Sequence, residues 1–210
     1  MTRIAIADDH AVVRKGVRQI ISEAEGLTVV GEAASADELL TMLRSQPIDV
    51  VVLDLGLGVR SGIDLLKHIK SELPRVQVII LSMHPEDLFA VRALRAGASG
   101  YVEKDAAPET LLAAIHRVRA GGTYVSAETA ERIAADIARG GAEIMPHERL
   151  SDREFEIFRL LGSGMSVTAI ARALNLSVKT VSTHRSHIIE KTGLRDNAHI
   201  ADYVIAHGLR

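Results

Sequence analysis

The sequence predicts an α/β fold, a five-stranded parallel doubly wound sheet, followed by a small all-α domain. Three observations carry this. Short apolar runs alternate five times with stretches of helical period over roughly the first 120 residues. The run Val50-Val51-Val52-Leu53 is apolar at every position, as a strand covered on both faces must be. From Leu150 onward only helical periods follow, with no strand signal among them.

Taken in order, the apolar runs are Ile4–Ala7, Thr28–Ala34, Val50–Leu53, Val78–Ser82 and Gly100–Glu103. Helical stretches follow each: Val12–Ser22, Ala36–Arg44, Gly62–Leu73, Glu86–Ala96 and Pro108–Arg119. Pro85 is well placed to open the fourth of these. Strand then helix, repeated five times, implies parallel strands wrapped by helices, with ligand chemistry collected at the C-terminal strand ends. Ala127–Ala138 has helix-forming composition, while Gly140-Gly141 and Pro146 interrupt regular structure, so a short helix and a flexible linker are expected there. The tail reads as helices at Asp152–Leu161, Val167–Leu174, Val178–Lys191 and Asn197–Ala206. Ser151 followed by Glu154 is a capping box, and Ser177 is a good N-cap after the break at Asn175-Leu176. The expected division is 1–120, a helix and linker over 121–148, and the helical domain over 149–210.

Composition narrows the function. At 210 residues with 47% hydrophobic content, two compact domains with real cores fit comfortably. The absence of cysteine removes disulfide frameworks, thiolate zinc sites and cysteine nucleophiles. No apolar run approaches the roughly 20 residues of a membrane span and no signal-peptide pattern opens the chain, so a soluble cytoplasmic protein without a membrane partner is expected. The net charge of −2 conceals an asymmetry: residues 148–210 carry nine Lys/Arg against seven Asp/Glu, leaving sixteen against twenty elsewhere. A mildly basic tail behind an acidic front suits nucleic-acid contact in the tail.

The polar residues at the predicted strand ends converge. Asp8 and Asp9 end the first strand, Asp54 the third, Ser82 the fourth and Lys104 the fifth. A lone Asp at a strand end is ordinarily a turn or cap residue, but this combination asks for one cleft. Three carboxylates there repel one another and call for a cation, and all-oxygen ligation suits Mg2+ better than zinc. A carboxylate so neutralised can attack phosphorus, giving an aspartyl phosphate. Lys104 would offset charge on the phosphoryl oxygens and the Ser82 hydroxyl could hydrogen-bond one of them.

Asp8-Asp9, Leu53-Asp54, Ser82, Gly97-Ala98 and Lys104 ahead of a helix resemble the receiver domain of two-component response regulators, over about residues 2 to 120. The resemblance implies a flavodoxin-like sheet and phosphotransfer from a partner sensor histidine kinase to Asp54. It implies Mg2+ held by Asp9, Asp54 and the backbone carbonyl of Gly56, with Asp8 turned to a metal-bound water. Ser82 and Tyr101 would form a switch pair, Ser82 moving to the phosphoryl group and Tyr101 rotating inward behind it. One departure stands out. Family members commonly carry Met-Pro after the acceptor, whereas Leu55-Gly56-Leu57-Gly58 stands here, and glycine opens the backbone space that proline closes. A looser loop over Gly56–Gly62 is expected. His84, after Ser82 and Met83, reads as a solvated surface histidine.

In the tail, the turn between Leu174 and Val178, with small Ala171 at the crossing, has the pattern of a helix-turn-helix. On Val178–Lys191 the residues Val181, Ile188 and His184 fall inward. Lys179, Ser182, Thr183, Arg185, Ser186 and His187 fall largely on the other side, a face of hydroxyls and cations that suits a major groove. Leu150 to Glu154, Ile170-Ala171 and Lys179-Thr180-Val181-Ser182-Thr183-His184 resemble the LuxR-type (NarL/FixJ) output domain over about 60 residues. That resemblance implies base proximity for Lys179, Ser182, Thr183 and Ser186, and backbone contacts for Thr180, Arg185 and His187. It also implies a closing helix, Asn197–Ala206, through which copies dimerise on DNA, although Ile200, Ala201, Val204 and Ile205 equally suit a core.

Together these readings describe a transcription regulator, not an enzyme, that takes a phosphoryl group on Asp54 and binds double-stranded promoter DNA as a homodimer. The alternative is a constitutive DNA-binding regulator whose front half serves as a phosphorylation-independent interaction module. An aspartyl-phosphate phosphatase is disfavoured, since the sequence offers no substrate-capping insertion and no second acid.

Overall fold

The computed structural model describes residues 1–57, 62–83, 86–138 and 145–209. The expectations that fall on Gly58, Val59, Arg60, Ser61, His84, Pro85, Gly140 and Gly141 lie outside the described residues. The chain divides into two compact units, Met1–Gly140 and Gly141–Arg210.

In the first unit β1 (Thr2–Ala7), β2 (Leu27–Ala33), β3 (Val50–Asp54), β4 (Gln77–Ser82) and β5 (Gly100–Glu103) form one sheet, ordered β2-β1-β3-β4-β5. Every described pairing in it is parallel. The helices between them are α1 (Ala11–Ser22), α2 (Ala36–Ser45), α3 (Gly62–Glu72), α4 (Glu86–Arg95) and α5 (Pro108–Arg119). The doubly wound architecture read from the sequence is therefore the architecture found.

The uniform apolarity of the strands has the expected cause. Val50, Val52, Ile79 and Leu81 pack with Val17 and Ile21 of α1 and Leu111, Ile115 and Val118 of α5. Val51, Leu53, Val78 and Ile80 point to the opposite face by the period of two and are equally buried. Each such side chain contributes about 1.5–3 kcal/mol on full burial. The sheet order reverses between β1 and β3, which opens a crevice at their C-terminal ends. Asp8 lies directly after β1 and Asp54 ends β3, so both carboxylates enter that crevice.

α6 (Ala127–Ala138), the short helix expected over those residues, falls in the first unit and packs against α4. Backbone pairing ahead of it leads the chain there. Tyr124 forms a parallel bridge with Gly100, donating to the Ser99 carbonyl and accepting from Tyr101 N–H, both at 3.0 Å. The Ser126 N–H donates to Glu86 Oε1 at 2.6 Å, and the Glu86 N–H in turn donates to Glu103 Oε1 at 2.7 Å. Tyr124 is thus bridged to the β5 edge just before α6 begins.

The second unit is all-helical: a 3-10 turn at Pro146–Arg149, then α7 (Asp152–Gly162), α8 (Val167–Ala173), α9 (Val178–Thr192) and α10 (Asn197–Ala206). Both sides of the Ser151–Glu154 capping box are made, at 3.3 and 2.7 Å. Ser177 caps α9 by accepting from Thr180 N–H at 3.0 Å. Asn175 takes a positive φ of 52° in the α8–α9 turn, a conformation that asparagine tolerates better than most residues. Phe155, Phe158, Ile170, Ala171, Val181, Ile188, Ile200 and Val204 fill the core. No described helix in either unit is long and apolar enough to cross a membrane.

Gly162 marks the closest approach of α7 to α10. A β-carbon there would sit 2.5–2.9 Å from the Val204 side chain, inside van der Waals contact. Gly162→Ala is therefore expected to cost about 1–3 kcal/mol by overpacking, seen as a lower unfolding midpoint of the helical unit in calorimetry. An unchanged midpoint would show that the α7–α10 contact gives way freely.

Candidate functional site

The crevice is organised by one ammonium group. Lys104 Nζ lies 2.6 Å from Asp8 Oδ2 and 3.0 Å from Asp54 Oδ2, and the three side chains are only 7, 2 and 6% exposed. β5 and the turn after it deliver Lys104, whose own N–H donates to the Ser82 carbonyl at 2.8 Å. That bond places the end of β4 under the pocket, with Ser82 itself buried. Asp54 Oδ1 accepts from Gly56 N–H at 3.0 Å. Asp9 stands at the solvent rim.

The electrostatics follow from burial. Loss of water pushes the Asp54 carboxyl above its usual range; the Gly56 N–H and the Lys104 charge pull against this, and neighbouring Asp8 adds to it. Burial works to discharge Lys104, but the hydrogen bond to Asp8 and the charge of Asp54 hold it above the ordinary ammonium range. Two carboxylates share one ammonium in a dry site, so the pocket keeps an excess of negative charge.

A hard divalent cation fits this arrangement. Asp8, Asp9, His10 and Asp54 each present a ligand atom, all within 4.8 Å of one another. A β-carbon on Gly56 would stand 3.3 Å from Asp54 Oδ2, crowding the carboxylate face that glycine leaves open. The donors are mostly carboxylate oxygens, as Mg2+ prefers.

Tyr101 is fully buried, beside Ile80 in the β4–β5 register. Two further residues escaped the sequence reading. His10 Nδ1 lies 2.6 Å from Asp9 Oδ1 and 3.3 Å from Asp8 Oδ1. Arg14 Nη1 donates to the Asp8 carbonyl at 2.6 Å while its Nε meets Glu32 at 3.3 Å, bracing the end of β1. The only sequence signals were the adjacency of His10 to the acidic pair and the place of Arg14 one turn into α1.

In the second unit α9 buries Val181 and Ile188 and leaves Lys179, Ser182, Thr183, Ser186 and His187 exposed, with Thr180 and Arg185 half-buried. Thr183 and Ser186 donate to the carbonyls of Lys179 and Ser182 at 3.1 and 3.2 Å, which leaves their oxygen lone pairs facing out. Thr180 Oγ1 sits 2.7 Å from the capping Ser177 hydroxyl. Arg185 Nε donates to Asn197 Oδ1 at 2.7 Å, tying α9 to α10. His184 is half-buried, and its Nδ1 has no hydrogen-bond partner among the described residues. Burial holds its pKa down; Glu154 opposes that, while Arg153, His187 and Lys191 add to it.

Behind this face, Glu154 accepts Lys191 Nζ at 2.6 and 2.9 Å and the Ser151 N–H at 2.7 Å. Burial alone would raise the Glu154 pKa, but these donors outweigh it and hold the carboxyl below its usual range. This pair locks α7 to α9. On α10, Ile200 and Val204 are core and Ile205 is exposed.

Lys104→Ala would leave Asp8 and Asp54 facing each other without their ammonium. A loss of about 3–5 kcal/mol is expected, measured by denaturant unfolding of the full chain. Millimolar Mg2+ should recover part of it, whereas a variant as stable as the parent would show that the pair carries no structural charge.

The description "Response regulator receiver domain" matches residues 4–116, and "Bacterial regulatory proteins, luxR family" matches residues 148–204. The chain is 31% identical to the response regulator UvrY of Escherichia coli K12, over all of this chain and 96% of that one. It is similar to RcsB of Salmonella enterica serovar Typhimurium bound to promoter rprA in the presence of phosphomimetic BeF3-, with 30% identity, a TM-score of 0.61, and 96 and 97% of the two chains covered. A second RcsB structure, of two dimers bound to two parallel DNAs, has 30% identity, a TM-score of 0.59 and 97% of each chain covered. With a receiver-type sheet carrying the acidic crevice and a helix-turn-helix unit behind it, the chain belongs to the DNA-binding response regulators of two-component systems.

Proposed function

We propose that Asp54 takes a phosphoryl group from a phosphohistidine of a partner histidine kinase and that this controls promoter binding by α9. The observation that carries the reading is the Lys104 ammonium held between Asp8 and Asp54 at the sheet's switch point. In the transfer, an Asp54 carboxylate oxygen forms a bond to phosphorus as the phosphorus–nitrogen bond breaks. The electron pair returns to the imidazole nitrogen, which takes up a proton from solvent. Lys104 follows the charge onto the phosphoryl oxygens and the Ser82 hydroxyl donates to one of them. Asp9, Asp54 and the Gly56 carbonyl would hold Mg2+, with Asp8 reached through water. The ion supplies neutralisation of charge between carboxylate and phosphoryl oxygens.

Ser82 and Tyr101 form the switch pair in this reading. Tyr101 is buried, and its N–H is the group bonded to Tyr124 ahead of α6. On DNA, Lys179, Ser182, Thr183 and Ser186 read base edges, and Thr180, Arg185 and His187 meet the backbone. Exposed Ile205 on α10 is available to pair two copies in a homodimer; the similar RcsB is dimeric in a DNA-bound structure. The setting is the cytoplasm. Phosphorylation-independent DNA binding is the second reading.

Acetyl phosphate with Mg2+ should add one phosphoryl mass to the parent chain and none to Asp54→Ala, and promoter affinity should rise with that mass. Equal labelling of both chains would overturn the assignment of Asp54. Labelling without any change in DNA affinity would select the second reading. Arg185→Ala should weaken binding across sequences and lower the salt slope by about one. Ser182→Ala should instead cost about 1–3 kcal/mol of discrimination at one base position. Fluorescence anisotropy over a salt series distinguishes the two.

A further inference from the structure

We infer that Arg14 is a positioning residue for the cation of the acidic crevice: it holds the peptide between Asp8 and Asp9, and so sets the direction in which Asp9 offers its carboxylate. This deepens the proposal above and rests on the crevice being a Mg2+ site.

The main chain is the first ground. Asp8 lies just beyond the last residue of β1, and its polar groups are engaged on every side. Its N–H donates to the Ala33 carbonyl of β2 at 3.1 Å. Its carboxylate meets Lys104 Nζ at 2.6 Å and the His10 N–H at 2.8 Å. Its carbonyl accepts from Arg14 Nη1 at 2.6 Å, a short bond of the kind that a charged donor makes. That carbonyl and the N–H of Asp9 belong to one planar peptide, so fixing the oxygen orients the plane from which Asp9 departs. Asp9 has little else to orient it. It is exposed, and among the described residues its carboxylate meets only the exposed His10 ring, at 2.6 Å.

The support of Arg14 is the second ground. It stands in the first turn of α1, and helical side chains run back toward the N-terminus, which is where Asp8 lies. The side chain is only 17% exposed. Its Nε meets Glu32 Oε2 of β2 at 3.3 Å, while Arg18 Nε binds the other Glu32 oxygen. A guanidinium is a rigid fork, so anchoring Nε on β2 aims Nη1 at the Asp8 carbonyl. A lysine could supply the charge there but not the second anchor.

The sign of the effect separates position from charge. A guanidinium close to a cation site repels the cation, so by Coulomb's law alone its removal would favour Mg2+. Orientation of Asp9 works the other way, because a carboxylate turned aside no longer ligates.

Mg2+ affinity of the full chain can be measured by calorimetry for the parent, Arg14→Met, Arg14→Lys and Arg18→Met. Arg14→Met should bind Mg2+ about tenfold more weakly, although it removes a positive charge. Arg14→Lys, which keeps the charge and reaches the carbonyl with one donor, should fall between it and the parent. Arg18→Met loses a cation that touches Glu32 but not Asp8, and its affinity should stay within about twofold of the parent. Excess Mg2+ should restore most of the labelling of Arg14→Met by acetyl phosphate, since the loss lies in the Mg2+ requirement. Unchanged or tighter Mg2+ binding by Arg14→Met overturns the inference, as does an equal loss in Arg18→Met or a labelling defect that excess Mg2+ leaves in place. Should Arg14→Met not fold, an affinity of Arg14→Lys equal to that of the parent overturns it as well. If the parent itself binds no Mg2+ and acetyl phosphate leaves Asp54 unmodified, the reading of the crevice fails, and the role of Arg14 with it.

Discussion

Two buried carboxylates share a single ammonium at the end of this sheet, and much of the first unit can be understood as the means of holding them there. Asp8 and Asp54 reach each other because β1 and β3 are neighbours at the point where strand order reverses. Lys104 reaches both from the far side of β4, and its backbone is pinned to Ser82 on the way. Charges this dry are tolerated only when paired, so the crevice constrains the register of three strands. It is also left with one negative charge to spare, which makes a cation and then a phosphoryl group natural visitors.

The second unit uses the same physics for a different end. Glu154 is buried, closes the cap of α7 and takes both hydrogen bonds from Lys191 at the other end of α9. That pair and the Val181–Ile188 stripe consume the inner side of α9. Hydroxyls and cations are left on the outer side, spaced by the helix and free of the core. The polar face is thus a by-product of how α9 is anchored.

Much of this was legible in the residues. The helix and strand positions followed from period and from cap chemistry, as at Ser151 and Ser177, because these are local properties of the chain. The crevice was legible because its chemistry needs carboxylate, hydroxyl and ammonium at strand ends, and those types stood there. The helix at α6 was legible in its composition, but its packing against α4 was not, because a backbone bridge from Tyr124 to Gly100 leads into it and backbone pairing leaves no mark on side-chain pattern. His10 and Arg14 were missed for a related reason: their relevance lies in which atoms they face.

The sequence by itself determined the order and type of the elements, the residue types at the strand ends that meet in the crevice, and the polar face of α9. Each is set by periodicity or by residue chemistry over short spans. Tertiary structure alone decided that Lys104 bridges Asp8 and Asp54, that Tyr101 is buried, that Tyr124 bridges to the β5 edge, and that of the apolar residues on α10 Ile200 and Val204 are core while Ile205 is not. Those outcomes depend on distances between residues far apart in the chain, which are fixed only when the sheet closes and water leaves the crevice.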